Sequence, residues 1–193
     1  MRNANSIAVV ICFTLASSAA AIERDAPRTF LVEAEGFDQL GGWVVDQQYM
    51  NQMGSPVVLA HGLGRPVEDA ATTVNVPATG KFGVWVRTRD WAATFDAPGS
   101  PGRFQLLVNG KPLKTTFGTE GVAWHWQYGG TVQLPAGRVR LTLRDLTGFD
   151  GRCDAIVLSN VAGFSPPETA AELAAWRRAM LGLPDTPPDA GQY

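Results

Sequence analysis

The fold is decided by residues 72–87, TTVNVPATGKFGVWVR, where two alternating runs flank a short turn. Val74 and Val76 alternate with polar residues before the turn, and Phe82 and Val84 resume the alternation after it. A period of two places successive side chains on opposite faces of a β-strand. Proline and glycine between the runs are typical turn residues. The stretch therefore predicts two strands separated by a turn.

The same pattern continues along the chain. Residues 104–110, FQLLVNG, end in Asn-Gly, the strongest short hairpin signal. Residues 134–137, LPAG, predict another turn, and residues 138–144, RVRLTLR, predict a strand with one apolar and one cationic face. No long helical pattern precedes Ser165, which argues against an α/β fold. Many short strands with regular turns predict an all-β, antiparallel β-sandwich over residues 29–160.

The C-terminal segment has a different pattern. Residues 165–168, SPPE, read as a helix N-cap, two first-turn prolines and a capping glutamate. Leu173 and Met180 then fall on one helical face, which predicts a short helix over residues 165–183. Residues 184–193 are rich in proline, glycine and aspartate and read as a linker. This end indicates either a longer natural polypeptide or a frayed C-terminus.

The N-terminus reads as a secretory signal peptide over residues 1–21. Arg2 supplies the positive charge, residues 7–15 form a short apolar core, and residues 18–21 offer a small-residue cleavage site. The alternative is a short membrane anchor. A cleaved signal predicts export to the periplasm or the extracellular space, with no membrane span in the processed chain.

Composition limits the classes of partner and the source of stability. The formal net charge is −2, so the chain lacks the basic surplus typical of nucleic-acid binding. Cleavage of the signal would leave Cys153 as the single cysteine, which excludes an internal disulfide framework. We expect packing, and a bound metal in addition, to stabilise the domain.

Three carboxylates lie on strand-like stretches near the two ends of the predicted sandwich. Glu33 and Glu35 share a face, and Asp154 would join them if the first and last strands were neighbours. Carboxylates and backbone carbonyls are the ligands that calcium prefers. The two histidines do not cluster with cysteine, so zinc does not fit. The alternative is salt bridges to arginines such as Arg144 or Arg152.

Two pairs of segments resemble the family 6 and family 35 carbohydrate-binding modules. Residues 32–35, VEAE, and 154–158, DAIVL, look like their opening and closing strands. Residues 121–126, GVAWHW, and 131–137, TVQLPAG, resemble their tryptophan-bearing loop and the turn after it. The resemblance covers roughly residues 29–160.

This resemblance implies a jelly-roll-like β-sandwich that binds a glycan or polysaccharide without catalysis. It also implies a structural calcium ion held by Glu33, Glu35 and Asp154. The sequence departs from the family at Arg152, where family 6 modules often carry an asparagine. The departure affects the usual sugar-contacting cleft rather than the fold.

A second resemblance, to the N-terminal module of bacterial exported FAD-dependent oxidoreductases, covers more of the chain. It is carried by five segments of the sequence: residues 30–37, 41–43, 48–50, 86–91 and 104–110. In that family a Rossmann-type FAD domain follows the sandwich and a linker. The resemblance therefore implies a C-terminal FAD domain as partner, absent from this sequence.

FAD binding by this chain alone is not expected. No strand is followed by Gly-x-Gly-x-x-Gly, and residues 61–64, HGLG, lack both the third glycine and a following helix. The module could still contribute directly to an oxidoreductase active site in a full-length enzyme. A third hypothesis is a structural or docking domain without a ligand.

Tryptophan-bearing loops are the candidate glycan site, because sugar rings stack on exposed aromatic platforms flanked by short polar groups. Of the adjacent pair, Trp126 is assigned to the core and Trp124 to the loop. Trp85 is out of phase with Val84 and Val86, so we expect it to be a core residue that covers the second face beneath a loop or helix. The alternative is that all tryptophans are packing residues. The predicted carbohydrate-binding residues are Arg89, Asp90, Trp91, Trp124, His125 and Tyr128.

The residues give little support for catalysis. Neither His61 nor His125 lies in a nucleophile motif. Asp145 and Asp150 could pair with Asp154 as glycosidase carboxylates, but turn formation and metal binding explain them better. The prediction is a secreted, non-catalytic carbohydrate-binding-like module.

Overall fold

The computed structural model describes residues 28–95 and 99–183. The predicted signal peptide (1–21) and linker (184–193) lie outside these residues. Two α-helices and two short 3-10 turns accompany the strands: α1 (Met50–Met53), α2 (Ala170–Leu181), Ala34–Gly36 and Trp91–Phe95. The strands are β1 (Thr29–Glu33), β2 (Val44–Asp46), β3 (Val57–His61), β4 (Ala70–Val76), β5 (Gly80–Thr88), β6 (Phe104–Val108), β7 (Lys111–Pro112), β8 (His125–Leu134), β9 (Gly137–Asp145), β10 (Phe149–Cys153) and β11 (Ala155–Ser159).

The strands form three antiparallel sheets, which confirms the all-β sandwich. The first sheet has the order β1-β11-β5-β8, and the second has the order β4-β9-β6-β7. A third, smaller sheet has the order β10-β3-β2. The two strands of residues 72–87 lie in different four-stranded sheets, so the turn between them crosses the sandwich.

The core lies between the two four-stranded sheets. Phe104 from β6 lies 5.6 Å from Trp43 and 5.7 Å from Phe117, measured between ring centroids. Phe82 and Val84 from β5 join the same buried cluster, as their alternation predicts. The Asn109-Gly110 hairpin joins β6 to β7, and both residues have positive φ, as a tight hairpin turn requires.

The first and last strands pair directly. β1 lies antiparallel to β11, with Glu33 opposite Ala155. Asp154 is the single residue between β10 and β11. Its backbone carbonyl accepts the Ala34 N–H at 2.9 Å, and its backbone N–H donates to the Arg87 carbonyl at 3.0 Å. Glu33 and Asp154 are therefore held side by side, as the carboxylate hypothesis required.

Helix α2 packs on the outer face of the first sheet. Leu173 lies in a buried cluster with Trp126, Ala155 and Val157 from that face. Trp85 packs there too, 5.3 Å from the Phe164 ring, as its phase predicts.

The helix is shorter at its N-terminus than predicted. Thr169, rather than Ser165, is the N-cap, because its hydroxyl accepts the N–H of Glu172. The capping pair is therefore Thr169 and Glu172, four residues after the predicted pair. The preceding prolines lie outside the helix, and the Pro167 carbonyl accepts the indole N–H of Trp126 at 2.9 Å. Gly182 ends the helix in the left-handed conformation, which favours glycine. Across the described residues, none of the helices combines the length and apolar character needed to cross a membrane.

The Cys153 thiol should be unreactive in the folded protein. It is completely buried, and burial together with the neighbouring carboxylates raises its pKa. We expect Ellman's reagent to label a Cys12→Ser variant only after guanidinium unfolding. Rapid labelling under native conditions would contradict this burial.

Candidate functional site

Two carboxylates converge on one guanidinium at the edge of the first sheet. Glu33 accepts two hydrogen bonds from Arg177 of α2, at 2.8 Å on Oε1 and 3.1 Å on Oε2. Asp154 Oδ2 accepts a third at 2.6 Å, and the Met53 carbonyl accepts a fourth. The Asp154 side chain is fully buried, and that of Arg177 is 6% exposed. The result is a buried ion-pair network rather than a surface salt bridge.

A second arginine supports the same carboxylate. Arg87 Nε lies 3.6 Å from Asp154 Oδ2, and the Arg87 guanidinium lies 5.6 Å from the ring centroid of Trp126. Two buried cations therefore face the two carboxylates Glu33 and Asp154. Burial raises the pKa of Asp154 to about 7, while Arg177 and Arg87 act in the opposite direction.

Glu35 is the third member of the predicted ligand set, and it forms no salt bridge within the described part of the chain. Its Oε2 is buried and makes no hydrogen bond. Burial, together with repulsion from Glu33 and Asp154, raises its pKa to about 7. A carboxyl group in this setting is largely protonated below neutral pH.

These residues do not fit a calcium site as they are arranged. Arg177 already uses oxygens of both Glu33 and Asp154. Within residues 28–95 and 99–183, no group of three or more histidine, cysteine, aspartate or glutamate side chains is placed to hold a metal ion. A calcium ion would have to displace Arg177 to use these carboxylates.

The proposed salt-bridge alternative was right in kind but named the wrong arginines. Arg144 pairs with Asp69 on the surface, and Arg152 lies over the rings of Tyr49 and Trp91. Arg177 follows Leu173 by four residues, so both lie on the buried face of α2. The four-residue spacing from Leu173 was the sequence signal that could have identified Arg177 as a buried residue.

Trp124 is not an exposed loop platform. Its side chain is 9% exposed and packs with Met53 and Val57, 5.4 Å from the Tyr49 ring. Trp124 lies in the loop before β8, as predicted, but the expectation that it is exposed there is wrong. Trp126 is buried as predicted, although it lies beneath α2 rather than between the sheets.

Trp91 is partly exposed, but its ring is held against strand β10. Its indole N–H donates to the Phe149 carbonyl at 2.9 Å, and the Arg152 guanidinium lies 5.4 Å from its ring centroid. Its pyrrole edge lies against Gly102, where a Cβ would come within 2.9 Å of the ring. The Trp91 side chain therefore connects its segment to β10. A role for Trp91 in sugar binding stays a prediction.

The polar residues predicted around these tryptophans mostly bond within their loops. Asp90 is buried and accepts the Ala92 N–H and the Ser100 hydroxyl. Arg89 donates to the Thr94 hydroxyl at 3.1 Å. His125 Nδ1 lies 3.2 Å from the Ala123 carbonyl. Glycan contacts by Arg89, Asp90 and His125 stay predictions.

Tyr128 lies on a different surface, in an open groove of about 270 Å³ on the outer face of the first sheet. It is 50% exposed, and its ring lies 5.1 Å from that of Trp85. The Trp85 indole lies over Gly83, where a Cβ would come within 2.5 Å of Cη2. Phe164 closes the other side. Because Gly83 lacks a side chain, the indole can lie down on the sheet.

Short polar groups surround this aromatic floor, and the whole is called the Trp85 groove below. The Tyr128 hydroxyl and the Thr131 hydroxyl are 3.0 Å apart, and Lys81 is exposed at the edge. The sequence pattern found Tyr128 and placed Trp85 on the outer face, but it did not bring them together. The groove is lined by Lys81, Gly83, Trp85, Tyr128, Thr131, Ser159, Asn160, Val161, Gly163 and Phe164.

A second, larger groove of about 550 Å³ lies between the edge strands β7 and β8. Lys111 and Lys114 line it, together with the backbone of Gly129 and Gly130. None of its lining residues is aromatic, so it offers no stacking surface.

Comparisons with known proteins give structural matches only. Neither the protein-family models nor the curated proteins include a match to this sequence. Among solved structures, a β-(1,4)-mannanase of Podospora anserina that carries a family 35 carbohydrate-binding module matches with a TM-score of 0.55 and 21% identity. The match covers 74% of this chain and 29% of the mannanase chain, so the chain corresponds to less than a third of that enzyme.

Two isolated modules match over nearly their whole length. A family 36 module of a xylanase from the hindgut metagenome of Trinervitermes trinervoides matches at 17% identity and a TM-score of 0.52, covering 71% of this chain and 100% of that one. A family 35 module from Clostridium thermocellum matches at 18% identity and a TM-score of 0.51, covering 68% and 97%. At these identities the comparisons establish the jelly-roll sandwich fold.

Proposed function

We propose that this domain is a non-catalytic carbohydrate-binding module that holds a sugar ring in the Trp85 groove. The observation that carries the proposal is the indole of Trp85 lying over Gly83, between the rings of Tyr128 and Phe164. Sugar rings present apolar C–H faces that stack on aromatic rings. The groove is smaller than most drug-sized sites, which suits one or two sugar units.

The polar rim suits the hydroxyl groups of a sugar. Thr131 is exposed, and Lys81 can donate from the groove edge. Ser159 lines the groove, although its hydroxyl already bonds Thr29 and the Val161 N–H. A few placed polar groups over an aromatic floor fix the orientation of a ligand that would otherwise slide.

The similar folds support the proposal by their context. The matched structures include modules of a mannanase and a xylanase, so mannan and xylan are the first polysaccharides to test. A module with this fold can bind a polymer without acting on it.

Catalysis lacks a suitable constellation among the described residues. His61 Nδ1 lies 2.7 Å from Asp150 Oδ1, but the pair is exposed and has no hydroxyl or thiol nucleophile in its hydrogen bonds. The two buried carboxylates near β11 are engaged by Arg177. We therefore propose binding rather than chemistry for this chain.

Attachment to a C-terminal FAD domain stays a separate prediction, supported by the sequence resemblance of residues 30–37 and 104–110. Export through the N-terminal signal stays a prediction as well. Reading the gene beyond Tyr193 for a strand, Gly-x-Gly-x-x-Gly and a helix tests the first. Detecting the processed chain in the periplasm or medium tests the second.

Affinity gels tell the two candidate binding surfaces apart. We expect Trp85→Ala to weaken the apparent affinity for a mannan or xylan gel at least fivefold, because truncating an aromatic residue that anchors a ligand costs about 1 kcal/mol or more. Trp91→Ala is the matched control and should migrate as the unchanged protein does. Retention lost in Trp91→Ala and kept in Trp85→Ala would move the site to the predicted loop. No retention of the unchanged protein on any gel or glycan array would refute sugar binding.

A further inference from the structure

The Arg177 guanidinium lies in a cage of oxygen atoms. Both carboxylate oxygens of Glu33, one of Asp154 and the backbone carbonyl of Met53 all accept hydrogen bonds from it. Such a set of carboxylate and carbonyl oxygens is the donor set that a hard cation uses. Here a side chain of the same polypeptide fills the centre of the cage.

The cage connects four separate parts of the fold. Glu33 ends β1, Met53 ends α1, Asp154 lies between β10 and β11, and Arg177 comes from α2. Glu33 and Arg177 are 144 residues apart in sequence. A structural metal ion joins distant segments in the same way, by supplying positive charge to ligands from several elements.

The guanidinium suits this position better than an ammonium would. Its planar fork donates in several fixed directions, which allows paired bonds to Glu33 and one to Asp154 at the same time. Arg87 adds a second positive charge at 3.6 Å from Asp154. The charge of the two carboxylates is therefore balanced without an ion from solution.

We propose that Arg177 takes the place of the calcium ion that the family resemblance implies, so that this domain is stable without any bound metal. In this arrangement α2 is part of the structural core of the module, because it delivers the cation. Removing the guanidinium leaves an anionic oxygen cage of Glu33, Asp154 and Met53, with Glu35 beside it, that calcium can enter.

Thermal unfolding with and without calcium tests the proposal. The unchanged protein should melt at the same temperature in excess EGTA and in millimolar calcium chloride. Arg177→Met should melt lower in EGTA and should regain roughly 5 °C as calcium is added. Arg144→Met, which breaks the surface pair with Asp69, is the matched control and should show no response to calcium.

Two results would overturn the proposal. A rise in the melting temperature of the unchanged protein with calcium would show that the ion binds despite Arg177. An Arg177→Met protein that is destabilised and does not respond to calcium would show that Arg177 is a packing residue only. If Arg177→Met does not fold, Arg177→Lys supplies the second arm. Its ammonium keeps the charge but not the planar fork, so it should fold less stably and should not respond to calcium. A rise in its melting temperature with calcium would contradict the proposal.

Discussion

Replacing Arg177 by methionine is expected to lower the free energy of unfolding by about 3–5 kcal/mol, the largest effect we expect from one substitution. Methionine keeps much of the apolar stem and removes the charge. Asp154 is fully buried, and Glu33 is mostly buried, so both carboxylates would lose their main partner inside the protein. Equilibrium unfolding in guanidinium, in EGTA and near neutral pH, measures the loss.

A charge-neutral variant identifies the cause of that loss. If unpaired carboxylates are responsible, Glu33→Gln and Asp154→Asn added to Arg177→Met should recover a substantial part of the stability, because no buried anion is then left without a cation. Arg144→Met should cost at most about 1 kcal/mol, since its pair with Asp69 is exposed. Equal losses for Arg177→Met and Arg144→Met would contradict the buried network.

Replacing Glu35 by glutamine is expected to stabilise the protein above neutral pH, by about 2 kcal/mol at pH 8. Burial and the neighbouring Glu33 and Asp154 raise the pKa of Glu35 from 4.5 to about 7. Its folded pKa lies above its unfolded value, so its contribution is complete below about pH 4.5 and is lost as the pH rises through 7. Glutamine stays neutral, so Glu35→Gln avoids that loss.

The pH profile gives the check. The stabilities of the unchanged protein and Glu35→Gln should be similar near pH 4.5 and should separate between pH 5 and pH 8, since the pKa of Glu35 is raised to about 7. Asp154 titrates in both proteins, so most of its contribution cancels in the comparison, apart from its repulsion with Glu35. A variant that is less stable at pH 8, above all in the presence of calcium, would indicate that Glu35 serves as an anionic ligand.

The strands could be predicted because their signal is local. Alternation at Phe82, Val84 and Val86 assigned the core face of β5, and it left Trp85 for the opposite face, where its ring lies beside that of Phe164. The Asn109-Gly110 turn was equally local. The pairing of β1 with β11 was harder to predict, because it joins residues more than a hundred positions apart, and the short family motifs supplied it.

The candidate site could be predicted only in part, since it depends on packing between distant elements. Trp124 was expected to be exposed because glycines flank its loop, but Tyr49 and Met53 from an earlier segment pack against it. The partner of Glu33 and Asp154 came from a helix whose docking surface the sequence did not specify. Tyr128 was found from the sequence, whereas its contact with Trp85 required the register of β5 and β8.

The central claim is that a glycan stacks in the Trp85 groove, and tryptophan indole N–H signals in a nitrogen–proton correlation spectrum test it most directly. A Trp85→Phe spectrum assigns the Trp85 signal, and mannohexaose and xylohexaose are the first ligands to add. The account predicts a saturable shift of the Trp85 signal, while the Trp126 signal, bonded to the Pro167 carbonyl, stays in place. Shifts confined to Trp91, or no indole shift with any oligosaccharide tested, would contradict it.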